Sequence, residues 1–410
     1  MSDVAGAARV LREAGRALRA RPHDEVVAAL ARVLDAWSDP DGPWQRALVP
    51  AHARAAGFSE ANVRDALARA LAGFTGDAFR AAFDAELGAR AHAHGAPLTS
   101  LLLAGSIPMP TLLHVVCALA VRTPVLAKPA SRDAATLPLV LRSIAEVDAA
   151  LGRCAAIASF DPARDDARAR AFFASECIVA SGADATLDAV RARLSPQQSL
   201  VGYGHRLSIA VLGPSALDAA TARALAVDVA DWDQLGCLSP AAVFAVGCAP
   251  EALVAFAHAL ADALEERERA APRGAVDTAA AAAIRAERES ARLRFASADA
   301  RRAHVLREAA ASTVVLEPDA RWRAAPLHRF ARLHPVASVA ALREAVAPIA
   351  RFLSTIAVAG IGDAEAREAL AGLGGHRLCA PGEMQSPPLA WRRDGLGLFA
   401  PLVDAAPAPG

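Results

Sequence analysis

The sequence predicts an α/β protein, with a parallel sheet and crossover helices preceded by a helical region. The first ninety residues carry apolar side chains at helical spacing. From about Leu101 onward, short apolar runs alternate with amphipathic stretches, the pattern of βα crossover units. The chain has 410 residues, 54% hydrophobic and 21% charged, which at roughly 150 residues per domain allows two or three packed units with sizeable cores.

In chain order, VAGAARVLREAGRALRA and DEVVAALARVLDAW repeat apolar residues at intervals of three and four, and SDPDGPW follows as a loop. FSEANVRDALARALAGF opens with a serine cap at Ser59. LLLAG then reads as a buried strand, SIPMP as a turn and TLLHVVCALAV as a buried helix. TPVLAK, CIVAS and LSIAVLG are further strands, each followed by a helical stretch. A helix from Asp218 to Asp231 precedes the strand AAVFAV, and one long charged helical region is expected from Pro250 through Ala311, with Ala279 to Ala283 in a helix interior. TVVLEP and FLSTIAVAG resume the strands, and the Ala/Pro tail from Ala405 to Gly410 is expected to be disordered.

Composition excludes several functions. Lysine plus arginine total 44 and aspartate plus glutamate total 44, so no net field attracts nucleic acid. Ala96 to Val121 lacks a charged side chain apart from His114, but Pro97, Pro108 and Pro110 rule out one unbroken membrane-spanning helix. The six cysteines form no CxxC pair and the start has no continuous apolar signal segment, so a reducing cytoplasm is expected.

Candidate chemistry gathers at few places. Cys237, in DWDQLGCLSP, lies on an expected exposed turn where amide dipoles favour a nucleophilic thiolate; burial as a small hydrophobe is the competing role. Lys128 is the only lysine and emerges at the carboxyl end of a strand, where open α/β sheets bind ligands; its ammonium suits ribose hydroxyls or a phosphate, or it is an ordinary surface lysine. VASGADATLDAVRARL reads as strand, turn at Gly182 and helix, with Asp184 or Thr186 near the cap, and either offers helix-start amides to a pyrophosphate or is one of the several ordinary turns that any α/β protein carries. His205 lies in GYGHRLSIAV on an expected turn, either as a catalytic group or as a plain turn residue.

The order of SIPMP, LAKPAS, the Gly182 turn, GYGHRLSIAVLG and AVDVADWDQLGCLSPAAVF resembles the aldehyde dehydrogenase superfamily. With the ending FLSTIAVAG and HRLCAPGEMQSPPLAWRRDG, it resembles more narrowly the fatty acyl-CoA reductase (LuxC-type) family of bioluminescence operons. The resemblance implies an aldehyde-dehydrogenase-like fold: a helical region over 1–90, a nucleotide-binding domain over 91–206, a catalytic domain over 207–374 and a return segment over 375–410. It implies that Cys237 takes the acyl group from a thioester and that Lys128 holds the adenosine ribose. Ser131 stands where NAD-preferring relatives often carry glutamate, and with Arg132 it tolerates a 2′-phosphate, so NADPH is the expected cofactor.

Two departures from the family pattern stand out. No carboxylate lies near Gly202, where aldehyde-oxidising members place a general base, which fits a reductase rather than an oxidising dehydrogenase. Ser106 replaces the usual oxyanion-holding asparagine, so its hydroxyl or backbone N–H groups take that role. The implied reaction is reduction of an acyl-CoA or acyl-carrier thioester to an aldehyde. An acyl-protein synthetase or carrier protein is the implied partner and a homo-oligomer the implied assembly. A silent binding or assembly subunit is the alternative from another class.

Overall fold

The structure is a computed structural model that describes residues 3–90, 92–161, 164–297, 303–362, 364, 373 and 375–404. The chain's first part is helical as its periodicity predicts: α1 (Val4–Ala20), α2 (His23–Ser38), α3 (Pro43–Ala56), α4 (Glu60–Leu71) and α5 (Gly76–Leu87). Ser59 caps α4, its hydroxyl accepting the Asn62 N–H at 3.2 Å. The chain divides into two compact units, one drawn from 1–56, 70–205 and 388–410, the other from 57–69 and 206–387. The tail Ala405 to Gly410 lies outside the described residues.

The first unit is built on five strands, β1 (Thr99–Leu102), β2 (Val125–Lys128), β3 (Ala155–Ile157), β4 (Cys177–Ser181) and β5 (Ser199–Tyr203), in the order β3-β2-β1-β4-β5. All pairs are parallel. Its crossovers carry α6 (Met109–Ala120), α7 (Thr136–Val147), α8 (Ala149–Gly152), α9 (Asp166–Phe173) and α10 (Asp184–Arg191). β1, β2 and β4 are almost wholly buried, which is why their sequences run apolar without alternation. The direction of winding reverses between β1 and β4, which opens a crevice at their carboxyl ends.

The second unit holds β6 (Leu207–Leu212), β7 (Pro240–Val246), β8 (Val305–Glu308), β9 (Thr313–Leu316), β10 (Phe330–Val336), β11 (Leu353–Ala359) and β12 (Arg377–Cys379), ordered β12-β11-β6-β7-β10-β9-β8. Only β8 runs antiparallel to its neighbour. Its helices are α11 (Ala219–Ala230), α12 (Pro250–Ala270), α13 (Thr278–Ser297) and α14 (Val339–Val346). Alternate residues of β7 serve opposite faces: Val243 and Ala245 pack with Leu225, Val229 and Phe256, whereas Phe244 and Val246 pack with Leu342, Val346 and Ile356.

Two expectations are corrected, and one strand is added. The long helical region from Pro250 to Ala311 is two helices, α12 and α13, divided at Ala271 to Asp277, and its end is occupied by β8. The stretch before His205 is not a turn: Gly202 lies within β5, paired with Ala180. The strand β10, FARLHPV, escapes an apolar-run reading because Arg332, His334 and Pro335 interrupt it; Arg332 is fully buried on Glu317 and Glu287 instead. Among the described residues no helix is long and apolar enough to cross a membrane.

Candidate active site

The sheet order of the first unit sets the ends of β2, β1, β4 and β5 side by side, so the residues that follow them share one edge. Lys128 closes β2 in register with Leu102, half-buried, its ammonium 5.6 Å over the Phe160 ring. The next turn is closed by the Asp133 N–H donating to the Ala130 carbonyl at 3.1 Å, and its two corner residues, Ser131 and Arg132, are exposed. After β1, Gly105 at φ +95 reverses the chain, a conformation that favours glycine, and Ser106 follows it into a buried position.

After β4, the Gly182 N–H donates to the Tyr203 carbonyl at 3.1 Å, and a Cβ at Gly182 would approach Thr186 to 3.3 Å. The cap of α10 is Ala183 rather than Asp184 or Thr186, and no side-chain hydrogen bond caps the helix, whose Thr186 N–H donates to the Ala183 carbonyl at 2.8 Å. Asp184 instead accepts the backbone N–H of His205 at 3.0 Å, which fixes that exposed residue just beyond β5. Thr186 is exposed within the first turn of α10. A side chain at Gly202 would lie against Leu187, at 3.4 Å from its Cδ1, and so would face α10. Beneath this edge, burial pushes the His114 imidazole down to about 3 and the Tyr203 phenol up to about 12, with the Arg393 guanidinium 4.8 Å over the tyrosine ring.

Winding reversal, an ammonium, an uncapped helix start and a glycine close to that helix are the features a dinucleotide's anionic centre requires, so the residues of this edge fit such a group.

Cys237 belongs to the second unit, where it lies at the amino end of β7. It occupies a turn closed by the Ser239 N–H donating to the Gly236 carbonyl at 3.0 Å, and it is half-buried rather than exposed. Just before it, Trp232, Asp233 and Gln234 all take left-handed backbone conformations, at φ 55, 50 and 65. Each costs a non-glycine residue about 1–2 kcal/mol, so the surroundings must hold them.

Those surroundings are buried and polar. Asn62 donates to the Ala230 carbonyl at 2.8 Å and accepts the Trp232 N–H at 3.0 Å. Arg69 grips Asp231 with two bonds of 2.8 and 2.6 Å. Asp233 accepts from Arg329 at 2.9 Å and from the Gly274 N–H at 2.9 Å. The Gln234 amide donates to the carbonyls of Pro240 and Phe330 and accepts the Phe330 N–H at 2.8 Å, which ties the turn to β7 and β10. Arg329 itself ends a second left-handed run, Leu327, His328 and Arg329.

The turn is braced from its other side as well. Ser208 donates to the Cys237 carbonyl at 2.7 Å, and Gln385 donates to the Ser239 hydroxyl at 3.0 Å and to the Asp228 carbonyl at 3.2 Å. The Asp228 carboxylate accepts the backbone N–H groups of Gly382 and Met384. Burial pushes it up to about 7 against those two bonds, and nearby Asp231 adds to the rise. Cys117, Cys154, Cys177, Cys248 and Cys379 are each pushed up by burial, Cys177 to about 11 and Cys379 to about 12.

Sequence reasoning missed Asn62, Asp228, Asp233, Gln234, Arg329 and Gln385. One signal was present: in ALAVDVADWDQ three acids punctuate an apolar helix end, and an acid on an apolar face demands a buried partner.

Solved structures share this architecture. A NAD-dependent benzaldehyde dehydrogenase from Corynebacterium glutamicum superposes with a TM-score of 0.71 at 15% identity, over 94% of this chain and 84% of that one. Aldehyde dehydrogenase 21 from Physcomitrella patens gives 0.71 at 14%, over 97% and 87%. Succinate-semialdehyde dehydrogenase from Burkholderia pseudomallei gives 0.69 at 16%, over 98% and 88%. The fold is therefore aldehyde-dehydrogenase-like. The sequence profile of the acyl-CoA reductase (LuxC) family matches residues 18–404, and the chain belongs to that family. No curated protein sequence matches it significantly. Family and fold make it an oxidoreductase acting on acyl or aldehyde groups.

Proposed function

We propose that the protein reduces an activated fatty acid, carried as a CoA or acyl-carrier thioester, to an aldehyde with NADPH, through an acyl-cysteine on Cys237. The supporting observation is the Cys237 turn, which Ser208 holds at the Cys237 carbonyl, Gln385 at the Ser239 hydroxyl and Gln234 at the Pro240 carbonyl, while Trp232, Asp233 and Gln234 just upstream are kept in a strained conformation. Such bracing suits a nucleophile that must be presented at one fixed position.

The Cys237 thiolate attacks the thioester carbonyl, the carrier C–S bond breaks, and the carrier leaves as a thiol after taking up a proton. Ser106, through its hydroxyl or neighbouring N–H groups, holds the oxyanion. His205 is the candidate for moving the proton. Lys128 holds the ribose, Ser131 and Arg132 accept the 2′-phosphate, and the Gly182 turn with Thr186 and the start of α10 takes the pyrophosphate. Bound NADPH supplies a hydride. Once the acyl carbon is at the aldehyde level, the Sγ–C bond breaks, the aldehyde leaves and the thiolate is restored.

The test is NADPH consumption against acyl-CoA chains of graded length, with an acyl-carrier arm and with aldehyde measured as product. Stoichiometric aldehyde and free thiol are expected. Oxidation of added aldehyde with no thioester reduction would overturn the reading.

A further inference from the structure

We infer that His52 is a positioning residue for both halves of the reaction, joining the loop of Ser106 to the loop of Ser131 and Arg132 through one buried side chain. His52 lies on α3 and is fully buried. Its Nε2–H donates to the Ser106 carbonyl at 2.9 Å, and its Nδ1 meets Asp133 Oδ1 at 3.1 Å. Asp133, 2% exposed, is the residue after Arg132, and its N–H closes the turn that presents Ser131 and Arg132.

Asp133 is in turn fixed from two helices. Thr111 of α6 donates to Oδ2 at 3.1 Å, and the hydroxyl of Thr136 at the start of α7 donates to Oδ1. A separate bond, from the Leu103 N–H to the Lys128 carbonyl at 3.1 Å, ties the same two loops closer to the sheet. Within α3 the buried stripe runs Gln45, Leu48, Val49, His52 and Ala53, so a histidine stands where the helix pattern calls for an apolar side chain. A buried polar chain of this kind is stable only with every partner in place, so a shift of either loop breaks a buried hydrogen bond of His52. The two loops therefore move as one, and the cofactor-side turn and the oxyanion-side residue keep a fixed spacing.

The inference rests on the proposed reductase reading, and its test separates the two. Full-length wild type and His52→Ala, His52→Gln, Asp133→Asn, Arg132→Ala and Ser106→Ala variants are compared in three measurements. These are the melting temperature, NADPH affinity by fluorescence titration, and the rate of Cys237 acylation by acyl-CoA without cofactor, followed by mass. His52→Ala and Asp133→Asn should each weaken NADPH binding and slow acylation, both by about tenfold, the loss expected for one displaced hydrogen bond. Combining them should add little beyond either alone. Arg132→Ala should affect only the cofactor, and Ser106→Ala only acylation.

His52→Gln guards against misfolding of the alanine variant: both N–H donors of its amide sit on one nitrogen, which cannot occupy the Nδ1 and Nε2 positions at once, so it should retain one function and lose the other. A folded His52 variant that leaves both functions intact, or a glutamine variant that retains both, overturns the inference alone. Wild type that neither binds NADPH nor becomes acylated removes the functional reading and the inference with it.

Discussion

The edge of the first sheet and the Cys237 turn are built on opposite plans. Ser131, Arg132 and His205 stand exposed on short connections beyond the carboxyl ends of parallel strands, and Thr186 stands exposed in the first turn of α10. Cys237 stands at the amino end of β7, half-buried, beyond three left-handed residues whose polar groups are tied to Asn62, Arg329 and the Phe330 backbone. The difference matches what the proposed function asks of each. A diffusible ligand is recognised by accessible donors that give up water on binding, whereas a nucleophile forming a covalent bond must already be in place, which a solvated loop does not guarantee.

The largest effect should come from removing the atom that the second plan presents. Cys237→Ala is expected to abolish thioester reduction while the chain still folds, and iodoacetamide should label Cys237 in the wild type. Retention of more than about a tenth of wild-type turnover, a difference of only ~1.4 kcal/mol, would end the covalent reading.

Next in size is the bracing itself. Asp233→Ala strips one of the two acids that fully buried Arg329 holds, Glu268 remaining at 2.8 Å, so the cost should approach but not exceed the about 3–5 kcal/mol of leaving a buried charge unpaired. Urea unfolding should show that loss. A loss below ~1 kcal/mol would mean that the left-handed run is held by something other than the charge pair.

The two plans also differ in how far the sequence discloses them. Lys128, Gly182 and Cys237 could be singled out because each is locally anomalous: the only lysine, a glycine after an apolar run, a thiol between glycine and Ser-Pro. The strands β2, β4, β6 and β7 were legible for a related reason, since burial on both faces leaves a continuous apolar run. The bracing was not legible. Asn62 and Trp232 lie 170 residues apart, and Asp233 and Arg329 96 apart, so no local pattern records their pairing. His52 and Asp133 escaped for the same reason, as did β10, whose buried arginine finds its partners only once the sheet has formed.

Protonation offers a gentler probe of the bracing. Burial raises the Asp228 carboxyl to about 7 from an ordinary 3.8, with Asp231 reinforcing the shift. A folded-state value above the unfolded one means that stability is fully present below about pH 4 and is lost as pH rises through about 7. The change is at most about 4 kcal/mol for a shift of this size. Asp228→Asn cannot titrate, so its urea midpoint should fall less than that of wild type between pH 5 and pH 8. Equal slopes for the two proteins would rule out Asp228 as the source.

The smallest effects on stability belong to the exposed edge, where the change should appear in the ligand instead. Arg132→Ala should leave the melting temperature nearly unchanged, because the residue is exposed and surface substitutions are usually worth no more than about 0.5 kcal/mol. It should nevertheless weaken NADPH more than NADH, since a guanidinium bond to a phosphate is charge-assisted and NADH lacks that phosphate. Ser131→Glu goes further by placing a carboxylate where the 2′-phosphate is proposed to sit, which should reverse the preference toward NADH. The ratio of kcat/KM for the two cofactors reads this directly, and a melting curve for each variant separates recognition from folding. A native ratio near one, or a ratio that neither substitution moves, would displace the nucleotide from the turn between Ala130 and Asp133 while leaving the Cys237 chemistry standing.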